Sequence, residues 1–156
     1  MSNFLAANGD LILRLVIAMG LGMAIGAERF IVHKEAGMKT HALVSMGAAV
    51  FVIISEALAY KYLGLTGFDP GRIASQIIVG IGFLGAGSII FHGSRLTGLT
   101  TASGLWVTAG IGIAAGFKFY ALAVIATVLV LFVLIAVYLI EKPIRKISGD
   151  IDQNNI

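Results

Sequence analysis

Cysteine is absent from this 156-residue sequence, which excludes disulfide staples and thiolate chemistry. Charge is scarce too: Asp, Glu, Lys and Arg make up 12% of the chain against 58% hydrophobic residues. No water-soluble domain of this size could carry such a surface. Nucleophile-elbow, P-loop, zinc-protease and paired-carboxylate patterns are missing as well, so no enzyme is expected. The first ten residues, MSNFLAANGD, lack the basic region and small-residue cleavage site of a secretory signal, and the first span is expected to be retained.

What is present is apolar sequence in lengths that cross a bilayer, which takes roughly 20 residues per helix. Five spans are predicted: 11–27, 41–59, 70–91, 101–116 and 120–140. They make residues 1–142 an all-α integral membrane domain, a bundle of about five helices, with 143–156 as a short cytoplasmic tail. Cytoplasmic flanks carry an excess of Lys and Arg. With the N-terminus outside, Arg29, Lys34, Lys39, Arg95, Lys142, Arg145 and Lys146 lie inside, against Arg14, Lys61, Arg72 and Lys118 outside. The expected topology is therefore N-terminus out and C-terminus in. The net charge of +3 then concerns topology and anionic lipid, and no nucleic-acid partner is expected from such short loops.

The spans differ in kind. Gly20, Gly22 and Gly26 mark the first, Gly80, Gly82, Gly85 and Gly87 the third, and Gly104, Gly110, Gly112 and Gly116 the fourth, whereas residues 120–140 contain no glycine. In lipid a strip without side chains lets two backbones approach, and the pairs Gly22/Gly26 and Gly112/Gly116 have the spacing that puts both on one helix face. Spans one, three and four are expected at the centre, with the fifth facing lipid. The third span contains a Gly-x-Gly-x-x-Gly match in GIGFLGAG. A dinucleotide fingerprint needs a strand before it and a helix after it, so the glycines are expected to serve helix packing or, as the alternative, to loosen the helix and expose backbone carbonyls to a cavity. A shift of 61 residues superimposes Gly26 on Gly87, Phe30 on Phe91, Gly37 on Gly98, Thr40 on Thr101 and Ala48 on Ala109. The implied repeat of spans one and two by spans three and four is parallel, related by an axis along the membrane normal.

Polar residues gather at the two membrane faces. On the outer side, Asp69 and Pro70 read as a helix start. Arg72, Ser75 and Gln76 share one face just beyond it, and Glu56 lies at similar depth in the second span. Charged groups in lipid turn inward and pair, so Glu56 or Asp69 is expected to partner Arg72, and Gln76 to face the bundle. On the cytoplasmic side, Glu28, Arg29, Gly37, Lys39, Thr40, His41, His92, Arg95, Gly98, Thr100 and Thr101 are expected to converge, with Thr40 and Thr101 as helix caps. This set could serve packing, an anionic headgroup or a partner protein. No ligand spacing marks a metal site, and no cofactor is expected. Trp106 is an interfacial anchor or a packing element.

Four stretches resemble the MgtC/SapB family of bacterial inner-membrane proteins: GAER at 26–29, AGMKTHALVSMGAA at 36–49, DPGRIASQIIVGIGFLGAGSII at 69–90 and RLTGLTTASGLWVTAGIGIAAG at 95–116. The resemblance implies a five-helix inner-membrane domain and a link to low-Mg²⁺ adaptation and survival inside host cells, with modulation of the F-type ATP synthase. It carries Glu28, Arg29, Gly37, Thr40, Asp69, Arg72, Gln76, the glycines from Gly80 to Gly87, Gly98, Thr100, Thr101 and Trp106 as shared positions. Members tied to virulence have a soluble domain after the fifth span; this sequence has a short tail there, so that domain's role is not carried over. The expected function is regulation by helix contact, with a homodimer and another membrane protein as partners in the bilayer. Transport of an ion such as Mg²⁺, or of a small solute, is the alternative.

Overall fold

The computed structural model describes residues 2–62, 69, 71–93 and 95–153. Five helices follow one another: α1 (Ser2–Ile31), α2 (Met38–Lys61), α3 (Gly71–Gly87), α4 (Leu99–Gly116) and α5 (Tyr120–Gln153). A two-stranded antiparallel hairpin, β1 (Ile90–His92) and β2 (Arg95–Thr97), joins α3 to α4 with Phe91 opposite Leu96. Four of the helices are long and apolar enough to span a membrane; α3, at 17 residues, is the short one. At 1.5 Å per residue α3 is about 26 Å long, slightly less than the hydrocarbon core. Pro70 lies outside the described residues. α5 continues as helix to Gln153, so the segment expected as a tail is helical over most of its length.

The interior is built from small residues. One cluster joins Ala18 and Ile25 of α1, Ala49 of α2, Ile111, Ala114 and Ala115 of α4 and Ala123 of α5. A second joins Ala48, Ile81 and Ala109. Lipid offers an apolar side chain as good a neighbour as another helix does, so close van der Waals contact decides which helices meet. The helix that collects these contacts is α2, whose buried face reads His41, Ala42, Ser45, Ala48, Ala49, Val52 and Ser55. α1 packs against one side of it and α4 against another. This corrects the expected arrangement: α1, α2 and α4 form the centre, and α3 buries only Ile81 and Gly85. α5 presents Leu122, Val128, Leu129 and Phe132 outward, as a lipid-facing helix does.

Both caps expected at threonine fall on glycine. Gly37 caps α2 and Gly98 caps α4, neither with a side-chain hydrogen bond, and Thr40 and Thr101 lie inside the first turns. Gly98 has φ +91°, and a Cβ there would sit 1.9 Å from the Ser88 carbonyl oxygen, so only glycine fits this corner. The 61-residue offset carries Gly37 onto Gly98 and the first residue of α2 onto that of α4, so both helices start at matching positions. The halves diverge before that point. α3 stops at Gly87, where the Ser88 hydroxyl and N–H both donate to the Gly85 carbonyl at 2.7 and 3.1 Å, and the hairpin replaces what would be its last turn. The third apolar stretch, expected as helix over 70–91, is thus helix followed by strand.

Two helix ends use a non-glycine residue in the left-handed region. His33 has φ +55° and Lys118 φ +65°. After α1, Lys34 N–H donates to Arg29 C=O and His33 N–H to Phe30 C=O; after α4, Phe119 N–H donates to Ala114 C=O and Lys118 N–H to Ala115 C=O. Each pair is a Schellman closure, in which glycine is the usual residue at the position these two occupy. Lysine at position 118 carries a backbone cost of roughly 1 kcal/mol, and its side chain joins the network described next.

Candidate functional sites at the two ends of the bundle

At the end where α1 begins, Arg14 is the hub. Its side chain is 4% exposed, deep in an apolar stretch of α1. One terminal nitrogen donates both to Glu56 of α2 and, at 3.0 Å, to the Gly116 carbonyl at the end of α4. The other meets Asp10 at 2.6 Å, one turn earlier on α1. Asp10 in turn accepts from Lys118 at 3.0 Å. The planar guanidinium suits this arrangement, because several donors in one plane can bind separate acceptors without reorienting. The network ties the end of α2, the end of α4 and the turn into α5 to α1, and it uses Gly116 C=O, a terminal helix carbonyl otherwise without an intrahelical donor.

The outer-side set expected from sequence is therefore redistributed. Glu56 belongs to the Arg14 network and not to Arg72, because α2 packs against α1 along its length and much less against α3. Asp69 accepts from Gly71 N–H at 2.8 Å through its side chain and from Arg72 N–H at 3.1 Å through its carbonyl, which starts α3. Ser75 donates to the Arg72 carbonyl at 2.8 Å, a bond within its own helix. Gln76 lines an apolar cavity of about 490 Å³ between α2 and α3, together with Gly47, Phe51 and Gly80. Arg14, Asp10 and Lys118 were missed as a set. The signal was available for Arg14, an ionisable residue inside an apolar run.

At the opposite end, Glu28 and Arg29 form a two-pronged ion pair between neighbouring residues, both buried. Arg29 Nε donates to one carboxylate oxygen and its terminal nitrogen to the other at 2.7 Å. His41 is fully buried, its Nδ1 3.1 Å from the Gly37 carbonyl, and its Nε2 faces the Cα of Gly104, where a Cβ would stand at 3.4 Å. Ser45, one turn along the same face, is also fully buried. Among the described residues, His41 Nε2, Ser45 Oγ, Arg14 Nε and Tyr120 Oη are the buried side-chain atoms without a hydrogen-bond partner. Thr101 is buried, while Lys39, Thr40 and Thr100 are exposed. The side chains of His92 and Arg95 lie outside the described residues. Among the described residues no group of three or more metal-ligating side chains converges.

The expected packing glycines divide into two groups. A Cβ on Gly22 would lie 2.5 Å from the His41 carbonyl oxygen, on Gly26 2.6 Å from the Met38 Cα, on Gly112 2.1 Å from the Ser45 carbonyl oxygen and on Gly116 2.7 Å from the Val52 Cβ. These four seat α1 and α4 against α2. Gly85 makes ordinary contact with Ala102, at 3.7 Å, and Gly80, Gly82 and Gly87 have nothing within 4 Å. The helix densest in glycine is thus the one whose glycines are least covered within the chain. Trp106 is exposed and lines a shallow groove with Gly82 and Gly85.

The MgtC family model matches residues 15–142. YhiD of Escherichia coli K12, named as a candidate magnesium transporter, is 43% identical over 127 residues, covering 80% of this chain and 59% of its own length. MgtC of Salmonella typhimurium LT2 is 47% identical over 120 residues, covering 77% of this chain and 49% of its own. An uncharacterised protein of Haemophilus influenzae is 45% identical over 122 residues, with 76% and 51% covered. The chain thus spans about half to three-fifths of the length of the curated relatives it matches. No solved structure matches it.

Proposed function

Because the chain belongs to the MgtC family, we propose that it is a bacterial inner-membrane protein of the magnesium-limitation response, acting by helix contact with a second copy of itself and with another membrane protein, and not as an enzyme. The observation that supports this reading is the outer face of α3. Gly87 meets nothing there, beside Val79 and an 82%-exposed Phe83, and Gly82, at the edge of this face toward Trp106, also has nothing within 4 Å. Small residues flanked by large apolar ones form the kind of face on which a second helix seats. The four glycines that serve packing within the protomer lie on other helices. The F-type ATP synthase, suggested by the family resemblance, is the first membrane partner to test.

The absence of native cysteine makes crosslinking clean. Phe83→Cys is expected to yield a covalent dimer in native membranes, and Leu129→Cys on α5 is not. Gly82→Leu is expected to reduce the dimer at least tenfold without lowering the protomer's melting temperature. Monomer alone from Phe83→Cys, together with no membrane protein co-purifying in mild detergent, would refute the reading.

A second reading, conduction of Mg²⁺ or a small solute, draws on the name given to YhiD and on Gln76 lining the cavity between α2 and α3. Mg²⁺ flux into liposomes containing only this protein, lost in Gln76→Leu, would establish it in place of the first.

A further inference from the structure

A second cavity, of about 490 Å³, opens where α1 ends, α4 begins and the later turns of α5 pass. It is amphipathic in a particular way. One wall is Val133, Leu134 and Val137 of α5 with Val32 of the α1–α2 turn. The other holds Arg29, Lys34 and Thr100, while Tyr138 and Glu141 lie on α5 with its valines. Its volume falls in the range of small-molecule sites.

Arg29 reaches the cavity with its side chain buried, 3% exposed. Glu28 takes two of its N–H groups, and a guanidinium has five, which leaves three that Glu28 does not use. Lys34 adds a second cation, held at this lip by the left-handed His33 that closes α1. Thr100 brings a hydroxyl in the first turn of α4. That helix is 18 residues long, and its glycine cap supplies no side-chain acceptor for the first free N–H groups, so the positive end of its dipole is open to an anion. Facing these donors on α5 is a carboxylate, Glu141. Donors on one wall, and a carboxylate one turn beyond the valines on the other, match a ligand with a phosphate, an amine and a hydrocarbon chain.

We propose that this cavity binds one molecule of an amine-bearing glycerophospholipid: its phosphodiester at Arg29, Lys34 and Thr100, its ammonium at Glu141, and an acyl chain along Val133 and Val137. The site is independent of the α3 face and of any partner that docks there. Free inorganic phosphate shares part of this chemistry. It lacks the hydrocarbon and the ammonium, so it would use only the donors of the site.

Native mass spectrometry of the purified protein with equimolar phosphatidylethanolamine and phosphatidylglycerol tests the assignment, with glycerophosphoethanolamine and inorganic phosphate as competitors lacking chains. Retention of phosphatidylethanolamine over phosphatidylglycerol is expected, with neither competitor displacing it. Lys34→Gln should weaken both lipids about fivefold. Glu141→Gln should erase the preference, a change of up to about fivefold, while leaving phosphatidylglycerol in place. Val137→Trp, which fills the apolar wall, should abolish retention with the melting temperature unchanged. Equal retention of both lipids by wild type and all three variants would overturn the proposal. Displacement by inorganic phosphate at comparable concentration would overturn it equally, by showing a site for a free anion.

Discussion

Arg14→Met should lower the stability of the protein by about 3 kcal/mol. The reason is what the substitution leaves behind. Glu56 loses its donor, Asp10 keeps only Lys118, and the Gly116 carbonyl is left uncapped at the end of α4. Removing one member of a buried ion pair costs about 3–5 kcal/mol, mostly because the partner charge remains where water is scarce. Here the lower end applies, since the Glu56 side chain is 32% exposed and Asp10 is 50% exposed. Arg14→Lys should fall between, because a single ammonium retains the charge but not the two nitrogens that separately reach Glu56 and Asp10. The double change Arg14→Met with Glu56→Met should recover most of the loss, as apolar replacement of a whole pair commonly does. Thermal unfolding in one detergent, followed through the sole tryptophan, Trp106, gives the ranking. Arg14→Met melting with wild type would mean that the network holds nothing together.

That Arg14 matters was legible in the sequence only as position. Hydropathy fixes how deep a residue lies along its helix, and by depth Glu56, Arg14 and Arg72 all belong near one face of the membrane. Which cation Glu56 meets depends on which helix stands beside α2 and on how each is turned, and neither follows from depth. The bundle's centre escaped for a related reason. Glycine marks close packing in a membrane helix, but a contact between two helices needs a groove on one side only. Gly22, Gly26, Gly112 and Gly116 supply grooves on α1 and α4, and α2 enters them with backbone and with the Ser45 and Val52 side chains. α2 therefore carries no glycine strip of its own at these contacts, and its buried face looks unremarkable in composition. Conversely α3 is rich in glycine, yet of Gly80, Gly82, Gly85 and Gly87 only Gly85 is covered within the chain. What did transfer from sequence to structure was anything set by composition alone: the helical membrane class and the outward-facing α5.

Gly112→Ala is the sharpest test of how the three central helices are held. An added Cβ would stand 2.1 Å from the Ser45 carbonyl oxygen and 2.8 Å from Ser45 Cα and C, all backbone or bound rigidly to it. No rotamer change relieves such a contact, so α2 and α4 must move apart by about 1 Å. Dispersion between paired atoms falls by a quarter to a half over a gap of about 0.5–1 Å. The loss would extend along the whole seam, from His41 over Gly104 to Val52 under Gly116. Overpacking in cores usually costs about 1–3 kcal/mol; with backbone as the obstacle, the top of that range is expected. Gly110, two residues away on the same helix, has nothing within 4 Å. There alanine should be neutral or gain up to about 1 kcal/mol, because glycine lowers helix stability. A melting temperature lowered by Gly112→Ala and held or raised by Gly110→Ala would locate the effect at the seam. Equal responses would mean that α2 and α4 are not in backbone contact, and that the small residues here serve something other than packing.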